Sequence, residues 1–508
     1  MSNFAAIIFV FQDIKACQNS ILAMIKKTKI VATVGPASES EEMLVALALA
    51  GVNVFRLNFS HGTHEEHKIR IDRIRKINRE HGFHCAILQD LQGPKIRVGL
   101  MEGGNAGVPL ERGSRFIFTN EEIVGNSERA STPYKGMYRD VKVGDRILMD
   151  DGKLEVKVIE IDSDAGEVIT EVVYGGLLKQ KKGVNLPNTA ISQPSVTEKD
   201  YRDLEFGLEN DVDWVALSFV RTAEEILGIK EYIHGKGSQA RVIAKMEKPE
   251  AILNMDEIIE AADGVMVARG DLGVEIPSEE VPIIQKKLVS KCHLAVKPVI
   301  VATQMLESMI DSPTPTRAEV GDVANAVLDG ADAVMLSAES ASGKYPLLAV
   351  QTMTRTIQHI EEHGDPAVLY YRHHTRVTDP KYVSEEKDND NVIMMGCRLA
   401  RDLRVQAIIG VTTSGYTAFR LSHHRPKSQI YIVTGNEKLL CQLSLYWGVN
   451  AFSQSDLENA DNELILIDEA NKFIEKKGLL KKGDKFINMS SYPLGKQHRT
   501  NNLTLMTV

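Results

Sequence analysis

Three charged side chains in the middle of the chain have the types and spacing that phosphate and metal chemistry requires. Lys245 and Glu247 stand at alternate positions at the end of an apolar run, so on a strand both would point to one face. Asp271 follows the next apolar run, in a glycine-flanked turn whose backbone amides can approach an anion. Carboxylates that converge from neighbouring strands suit Mg²⁺, which takes one or two of them together with water and substrate oxygens.

Each of these motifs also has a purely structural interpretation. Lys245 and Glu247 alone would usually form a weak, exposed ion pair at a strand end. Asp271 alone could cap the helix that follows a tight turn. The two motifs favour chemistry only when they are considered together, because both carboxylates would then face one point.

A third motif lies earlier in the chain, where Arg56, Asn58 and Ser60 alternate along another apolar run. A guanidinium there can fork onto a phosphate, and the neighbouring amide and hydroxyl oxygens can ligate a cation. Asn58 and Ser60 could instead be hydrogen-bonded polar residues that close the strand layer, whereas the charge of Arg56 requires a partner. Thr303 ends a further apolar run and, taken alone, is typical of a helix N-cap.

These residues can meet only if the strands that carry them end at one place. Short apolar runs alternate with helix-length periodic stretches along the first two thirds of the chain. There are eight such runs: 28–35, 52–60, 84–93, 213–220, 240–247, 263–270, 297–305 and 332–340. Polar residues concentrate at their carboxyl ends, which is where a (β/α)8 barrel carries its chemistry. The pattern therefore predicts an α/β fold built on a TIM barrel.

The strand and helix alternation is interrupted once, between the third and fourth runs. Residues 97–187 are rich in glycine and short β-like runs, which predicts an inserted small β-barrel domain that could serve as a lid over the barrel mouth. The barrel then comprises residues 24–96 and 188–362, and a C-terminal α/β domain comprises 363–508. We expect strands in that domain near 407–412, 429–434 and 448–452, and a helix near 463–477. Residues 1–23 look foreign to this pattern and are set apart as an N-terminal extension.

Composition excludes several classes of function. The 508 residues suggest two to four domains, and 43% hydrophobic with 25% charged residues is typical of a soluble globular protein. A net charge of -9 gives no electrostatic footprint for nucleic acid or an anionic membrane. The longest N-terminal apolar run, 5–11, is far shorter than the roughly 20 residues that span a bilayer. Five scattered cysteines without metal-ligand spacing fit a reducing cytoplasm.

Taken together, the motifs resemble the pyruvate kinase family over about residues 24–480. The matching stretches are 29–38, 56–62, 93–97, 182–187, 244–247, 267–271, 302–309, 315–319, 322–327 and 335–337. The resemblance implies Mg²⁺-dependent transfer of the phosphoryl group of phosphoenolpyruvate to ADP, giving pyruvate and ATP in the last step of glycolysis. It also implies a cytoplasmic, allosteric homotetramer.

The same resemblance implies roles for individual residues around the substrate. Glu247 and Asp271 would hold Mg²⁺, Arg56 would bind the substrate phosphate, and Lys245 would stabilise the transferring phosphoryl group and the enolate oxygen. The remaining positions divide between the substrate carboxylate and proton route (Gly270, Asp271 and Thr303) and the nucleotide side (Asn58, Ser60, His61, Arg97 and Lys182).

One departure from the family pattern concerns a monovalent cation. Many members have threonine and glutamate where this chain has Leu91 and Lys95, and that version binds K⁺ with Asn58, Ser60 and Asp90. Leucine supplies no ligand oxygen, and Lys95 brings a tethered ammonium near the position of the ion. We therefore expect the enzyme not to require K⁺.

The C-terminal domain resembles the family's effector domain. A hydroxyl-rich loop after its first strand could cradle a phosphate, although a plain βα turn is the alternative. The predicted effector residues are Thr412, Thr413, Ser414, Gly415 and Thr417. The family's usual glycine-rich effector loop is replaced by residues 489–496.

Two other functions stay open from the residues alone. A barrel that handles Mg²⁺ enolates, such as an aldolase or lyase of 2-oxo acids, would share the carboxylates and Arg56 but would not need the lid, Arg97 or Lys182. A catalytically silent scaffold or effector-binding homologue would not need the intact Lys245 and its two carboxylates.

Overall fold

The computed structural model describes residues 26–187, 189, 191–370, 387–456, 466–491 and 500–508. The extension predicted for residues 1–23 lies outside these ranges, as do most of the segment between the barrel and the C-terminal domain and most of the loop 489–496. No helix in the described ranges combines the length and the apolar character that spanning a bilayer requires.

The chain enters the first domain through three strands that are buried on both faces. These are β1 (Lys29–Thr33), β2 (Val54–Asn58) and β3 (Ala86–Asp90), separated by α1 (Glu41–Leu49) and α2 (His64–His81). A capping box fixes the start of α2, because the Thr63 hydroxyl accepts from the Glu66 amide and the Glu66 carboxylate accepts from the Thr63 amide. The polar segment that follows β2 is therefore held between a buried strand and a capped helix.

The insertion after β3 is all β apart from one short helix. Its elements are β4 (Val108–Leu110), β5 (Arg115–Thr119), β6 (Arg129–Ser131), α3 (Met137–Asp140), β7 (Arg146–Met149), β8 (Leu154–Asp162), β9 (Glu167–Tyr174), β10 (Gly176–Leu178) and β11 (Val184–Asn185). Six strands form one sheet in the order β11-β7-β8-β9-β5-β6, while β4 and β10 pair with each other. The insert is thus a small β domain, in which β11 and β6 end the larger sheet and β4 and β10 form a separate pair.

The first domain resumes with five more strands and closes. These are β12 (Trp214–Leu217), β13 (Arg241–Met246), β14 (Gly264–Ala268), β15 (Val299–Ala302) and β16 (Ala333–Leu336). The closed order β1-β16-β15-β14-β13-β12-β3-β2 is parallel throughout, which confirms the predicted eight-stranded barrel. The surrounding helices are α4 (Glu198–Glu209), α5 (Ala223–Gly235), α6 (Pro249–Leu253), α7 (Met255–Ala261), α8 (Arg269–Glu275), α9 (Val281–Leu294), α10 (Arg317–Asp329), α11 (Ala338–Ala341), α12 (Pro346–His363) and α13 (Pro366–Leu369).

Alternate residues of each barrel strand fill the interior. Val54 on β2, Leu88 on β3 and Ile243 on β13 belong to one buried apolar cluster, whereas their neighbours Phe55, Ile87 and Val242 belong to the cluster between strands and helices. Because side chains alternate along a strand, the inward face continues at its carboxyl end through Arg56, Asp90 and Lys245. The barrel therefore directs these charged groups to the top of its apolar core.

The last described part of the chain is a second α/β unit. It contains α14 (Lys387–Leu403), β17 (Ala407–Val411), α15 (Tyr416–His424), β18 (Gln429–Thr434), α16 (Glu437–Leu443), β19 (Val449–Ser453), α17 (Leu466–Lys476), β20 (Lys485–Ser490) and β21 (Asn502–Thr507). The sheet order is β19-β18-β17-β20-β21, with β21 antiparallel to β20. The three predicted strands and the predicted helix are present, and β20 and β21 were missed.

Candidate active site

A pocket of about 360 Å³ opens where the barrel strands end. Its lining brings together Lys245, Glu247 and Asp271, which come from the ends of two neighbouring strands, β13 and β14. The predicted requirement that these three groups share one site is therefore met. The other lining residues are Thr33, Arg56, Asn58, Ser60, His61, Gln92, Lys95, Ser218, Phe219, Ser337, Ala338, Ala341 and Ser342.

The Lys245 ammonium is buried and surrounded by oxygen atoms. Its Nζ lies 2.9 Å from Glu247 Oε1 and 3.1 Å from Asp90 Oδ1, and it donates a hydrogen bond of 2.7 Å to Ser218 Oγ. Burial acts to lower the pKa of Lys245, but the carboxylates of Asp90 and Glu247 outweigh it and raise the pKa above the ordinary lysine value. The group therefore stays a cation at physiological pH.

Asp90 joins the second cation of the site to the first. Arg56 donates from Nε to Asp90 Oδ2 at 2.6 Å and from Nη1 to Thr33 Oγ1 at 2.9 Å. Asp90 is only 1% exposed, and burial acts to raise its pKa, yet Lys245 and Arg56 hold it below the usual range. Sequence reasoning placed Asp90 in a remnant K⁺ site. The structure shows it as the shared counter-ion of Arg56 and Lys245.

Glu247 is oriented by a main-chain group through one carboxylate oxygen and faces Lys245 with the other. Its Oε2 accepts from the Phe219 amide at 2.8 Å, and Phe219 adopts a positive φ of 56°. Among the described residues, no donor makes a hydrogen bond of good geometry to Oε1, although Lys245 Nζ is close. Burial raises the pKa of Glu247, Lys245 opposes this, and the negative charge of Asp271 adds to it.

This donor set fits a magnesium ion. Glu247 contributes a buried carboxylate oxygen without a hydrogen-bond partner in the described ranges, and the partly exposed Asp271 contributes a second carboxylate on the same lining. A divalent cation would favour the charged form of Glu247, which burial disfavours. Two carboxylates with open space beside them match the coordination that Mg²⁺ takes with water and substrate oxygens.

Thr303 and Gly270, predicted to bind the substrate carboxylate, form a hydrogen bond with each other. The Gly270 amide donates to Thr303 Oγ1 at 2.7 Å, and Thr303 Oγ1 donates to the Ala302 carbonyl at 2.6 Å. They adjoin Asp271 and are not among the residues that line the pocket. Thr303 has a φ of 69°, a conformation that β-branched residues rarely adopt.

The predicted nucleotide residues fall into two groups. Asn58, Ser60 and His61 line the pocket. Arg97 and Lys182 belong to the segments that lead into and out of the insert, where Arg97 Nη1 donates to the Lys181 carbonyl at 3.1 Å and Lys182 Nζ lies 2.7 Å from Asp150 Oδ1. The structure therefore does not bring Arg97 and Lys182 onto the lining.

The positive charges near His61 affect its pKa. Partial burial lowers its pKa, and the charges of Arg97, Lys95 and Arg56 lower it further. A neutral imidazole at the pocket rim is the result.

The two residues that depart from the family's K⁺ pattern occupy different environments. Leu91 is 2% exposed and packs in the apolar core, so its side chain offers no ligand to the pocket. Lys95 lines the pocket with Asn58 and Ser60, and its Nζ lies 3.7 Å from Asp271 Oδ1. The tethered ammonium is therefore inside the site.

The predicted effector loop is a βα turn whose hydroxyl groups accept hydrogen bonds from amides of the same turn. Thr412 Oγ1 accepts from the Gly415 amide at 3.0 Å, Ser414 Oγ accepts from the Tyr416 amide at 3.4 Å, and Thr417 Oγ1 lies 2.6 Å from Thr500 Oγ1. Gly415, with a φ of 87°, makes the sharp entry into α15. Thr413 and Ser414 are exposed, while Thr412 and Thr417 are buried.

Comparison with known proteins shows that this chain is similar to pyruvate kinases. The family model described as pyruvate kinase, barrel domain, matches residues 25–350, and that described as pyruvate kinase, alpha/beta domain, matches residues 390–506. A pyruvate kinase of Geobacillus stearothermophilus is 44% identical over 479 residues, which cover 94% of this chain and 80% of the relative. One of Staphylococcus aureus strain MRSA252 is 43% identical over 483 residues, with 95% and 80% covered. The crystal structure of a pyruvate kinase from Cryptosporidium parvum superposes with a TM-score of 0.86 at 34% identity, covering 96% of this chain and 97% of that one.

Proposed function

Because the chain belongs to the pyruvate kinase family and so transfers the phosphoryl group of phosphoenolpyruvate to ADP, we propose that this transfer takes place in the pocket at the barrel rim. The observation that carries the proposal is the convergence of Lys245, Glu247 and Asp271 on one lining. An enzyme that cleaves 2-oxo acids would share the carboxylates, but the family excludes it.

Phosphoryl transfer is catalysed mainly by positioning and by fixed positive charge at the moving group. Arg56 and Lys245 supply this charge, and Asp90 holds both of them in place through contacts of 2.6 and 3.1 Å. In our proposal Arg56 binds the phosphate of phosphoenolpyruvate. Lys245 stabilises the transferring group and the enolate oxygen that remains.

The family is Mg²⁺-dependent, and the two lining carboxylates are the groups that would hold the ion. Bound there, it would supply charge neutralisation for the phosphoryl and enolate oxygens. The Phe219 amide orients Glu247 for this role, and Lys95 faces Asp271 from the other side.

The substrate carboxylate would bind at the Gly270 amide. That amide already has an acceptor in Thr303 Oγ1, at 2.7 Å, so the carboxylate would replace the hydroxyl. Displacement frees the Thr303 hydroxyl to take part in the proton route that converts enolpyruvate to pyruvate.

The nucleotide would lie between the barrel and the insert. Asn58, Ser60 and His61 approach it from the lining, and Arg97 and Lys182 approach it from the roots of the insert. Lys182 is paired with Asp150 and must leave it to reach a phosphate. Closure of the insert over the mouth would bring both cations in and exclude water.

We also propose that K⁺ is not required. Lys95 supports this, since its ammonium lies inside the pocket beside Asn58 and Ser60, and Leu91 presents carbon atoms to the core. Pyruvate formation should therefore be similar when KCl replaces a bulky organic cation salt at constant ionic strength. A severalfold rise with KCl would refute it, and the Lys95→Glu, Leu91→Thr double variant is the matched protein in which K⁺ dependence should appear.

For the assembly we propose a cytoplasmic, allosteric homotetramer with an effector site at residues 412–417. Met395 on α14 and Leu505 on β21 are apolar side chains exposed at one edge of the C-terminal sheet, where a second copy could cover them.

The four described cysteines are free thiols, which suits a reducing compartment. Light scattering of the wild type and of Leu505→Glu tests the assembly.

The proposed site is tested by measuring ATP formation from phosphoenolpyruvate and ADP with Lys245→Met. Loss of a fixed cation at the moving group should lower kcat by about 10³-fold or more. Lys286→Met is the matched control, because that lysine is exposed and pairs with Asp329 away from the pocket. Turnover of Lys245→Met close to that of the control would remove Lys245 from the mechanism.

A further inference from the structure

Arg269, the first residue of α8, connects three elements beside the pocket and has no role in the proposal so far. Its Nη2 donates to the Thr303 carbonyl at 2.7 Å, and its Nε lies 3.4 Å from the Ala302 carbonyl. Nη1 and Nη2 reach the two carboxylate oxygens of Asp322 on α10, each at 2.7 Å. One guanidinium therefore ties the start of α8 to the end of β15 and to α10.

The backbone held by this guanidinium is in an unfavourable conformation. Thr303 and Gln304 both have positive φ angles, 69° and 55°. This region is sparsely populated by residues other than glycine, and least by a β-branched residue such as threonine. Such conformations persist only where surrounding contacts determine them, and they concentrate at functional sites.

The positive φ of Thr303 has a direct consequence for its side chain. It turns the hydroxyl toward the Gly270 amide, 2.7 Å away, at the turn that carries Asp271. An extended backbone at residue 303 would continue β15 and point the side chain elsewhere, since side-chain direction follows the backbone. The hydrogen bond from Arg269 to the Thr303 carbonyl thus fixes the position of the Thr303 hydroxyl.

We propose that Arg269, braced by Asp322, is a positioning residue that holds Thr303 in its left-handed conformation and so aligns the Thr303 hydroxyl with the reacting substrate. The inference rests on the role proposed for Thr303 above. Arg269 acts through protein groups, since its hydrogen bonds in the described ranges go to Thr303, Ala302, Met305, Gln285 and Asp322.

Arginine suits this role better than lysine. A planar fork can bind a carboxylate with two parallel donors and still offer a donor to a carbonyl, which a single ammonium cannot do in fixed geometry. The Arg269 side chain is 12% exposed, so its charge requires the Asp322 partner. Arg269→Lys keeps the charge and should recover only part of the function.

The test is a double-mutant cycle between Arg269→Met and Thr303→Val, with Lys286→Met as the control for removing a cation from α9 that pairs with α10. The readouts are kcat, KM for phosphoenolpyruvate, the thermal midpoint, and exchange of pyruvate methyl protons with D2O in the presence of Mg²⁺ and ATP. We expect Arg269→Met to lower kcat and the exchange rate by about 10-fold to 100-fold, as misplacement of a reacting group does. KM should change little.

The losses in kcat caused by the two substitutions should not add. If Arg269 acts through Thr303, the double variant will be about as slow as Thr303→Val alone. Multiplied losses, or an Arg269→Met variant that loses only thermal stability, would overturn the inference. If Arg269→Met does not fold, Arg269→Lys and Asp322→Asn replace it in the same cycle. The proposed active site has a separate test. If that proposal is wrong, Lys245→Met will show normal turnover.

Discussion

The two ends of the barrel both bury lysine ammonium groups, but they surround them differently. At the rim, Lys245 lies within 3.1 Å of two carboxylates. At the base, the ammonium groups of Lys26, Lys27 and Lys29 donate to Asn53 Oδ1 at 2.6 Å, to the Ser428 carbonyl at 2.8 Å and to the Val449 carbonyl at 2.6 Å, respectively. The acceptors at the base are therefore neutral.

The pKa of each buried lysine depends on the groups that surround its ammonium. Burial lowers the pKa of Lys26 and of Lys27 to about 7 and that of Lys29 to about 8. Glu361 opposes these shifts, but its carboxylate is occupied by the amides of Lys27 and Thr28, at 2.7 and 2.6 Å. For Lys245, equally buried, two carboxylates reverse the direction. Burial is common to both ends, so the neighbouring carboxylates decide whether a lysine keeps its charge.

The difference matches what each end does. The rim must present permanent cations to a phosphoryl group, and Asp90 and Glu247 secure them. The base joins the barrel to the C-terminal domain, since Ser428 and Val449 belong to that domain. There a lysine serves as a long hydrogen-bond donor, for which a full charge is unnecessary.

The largest effect that would test this contrast is expected for Asp90→Asn. Removing the shared counter-ion leaves Lys245 more like the lysines at the base, so burial should lower its pKa, and Arg56 loses its bond of 2.6 Å. We expect kcat to fall by about 100-fold or more. The remaining activity should also decline at a lower pH than that of the wild type, because Lys245 would lose its proton more readily. A pH profile parallel to the wild type would show that Glu247 alone keeps Lys245 charged.

The next effect concerns a buried ion pair at the base, between Arg425 and Asp332. Arg425 is 2% exposed and donates from Nη2 to Asp332 Oδ1 at 2.8 Å, across the contact between the two domains. Burial raises the pKa of Asp332 and Arg425 opposes this, so Arg425→Met leaves a buried carboxylate with one less partner. We expect a loss of about 3 kcal/mol in the free energy of unfolding.

Urea denaturation measures that loss, with Lys68→Met, which removes an exposed helical pair with Asp72, as the control. The turnover of folded Arg425→Met should stay near that of the wild type, because the pair lies at the end of the barrel away from the pocket. A stability equal to that of Lys68→Met would mean that the domain contact does not depend on this pair.

A smaller effect at the rim is expected for Asp271→Asn. Loss of one of the two carboxylate charges should raise the Mg²⁺ concentration for half-maximal activity by about 10-fold or more. The matched control is Asp311→Asn, an exposed carboxylate that pairs with Lys344 and does not line the pocket. Equal Mg²⁺ titrations for Asp271→Asn and the wild type would exclude Asp271 as a ligand.

Much of the rim could be predicted from the sequence, because strand periodicity assigns a face to each residue. Alternation on β13 places Lys245 and Glu247 on the inward face with Ile243, and the closed barrel brings them to one end. The strand ends were predicted too long. The run 297–305, for example, stops as a strand at Ala302, because Thr303 turns into the left-handed conformation.

Contacts between distant segments were beyond the reach of the sequence. Asp90 on β3 and Lys245 on β13 are separated by β12, so their 3.1 Å contact depends on the closure of the barrel. The pairing of Lys182 with Asp150 depends likewise on how the insert folds. Strands β20 and β21 were missed, although the first four residues of Asn502–Thr507 alternate polar and apolar side chains.

The smallest effect is a pH dependence of stability that arises at the base. The pKa of Lys27 is about 7 in the folded chain against 10.5 for an ordinary lysine, because burial outweighs Glu361, and Lys29 and Arg425 lower it further. Between pH 7 and 8.5 the unfolded chain therefore binds more protons at this site than the folded chain, and stability should rise with pH. The gain is at most about 1.4 kcal/mol per pH unit for each such group.

Urea denaturation of the wild type and of Lys27→Met at pH 7 and 8.5 measures this gain, with Lys68→Met as the control. The interval ends where unfolded cysteines begin to ionise, because burial raises the pKa of Cys85 to about 12 and ionisation of its thiol in the unfolded chain lowers stability at higher pH. We expect the wild type and the control to gain stability with pH, and Lys27→Met to gain about 1 kcal/mol less. Equal gains in all three chains would mean that Lys27 keeps its proton throughout. The base would then hold its lysines as the rim does, and neighbouring carboxylates would not be what separates the two ends.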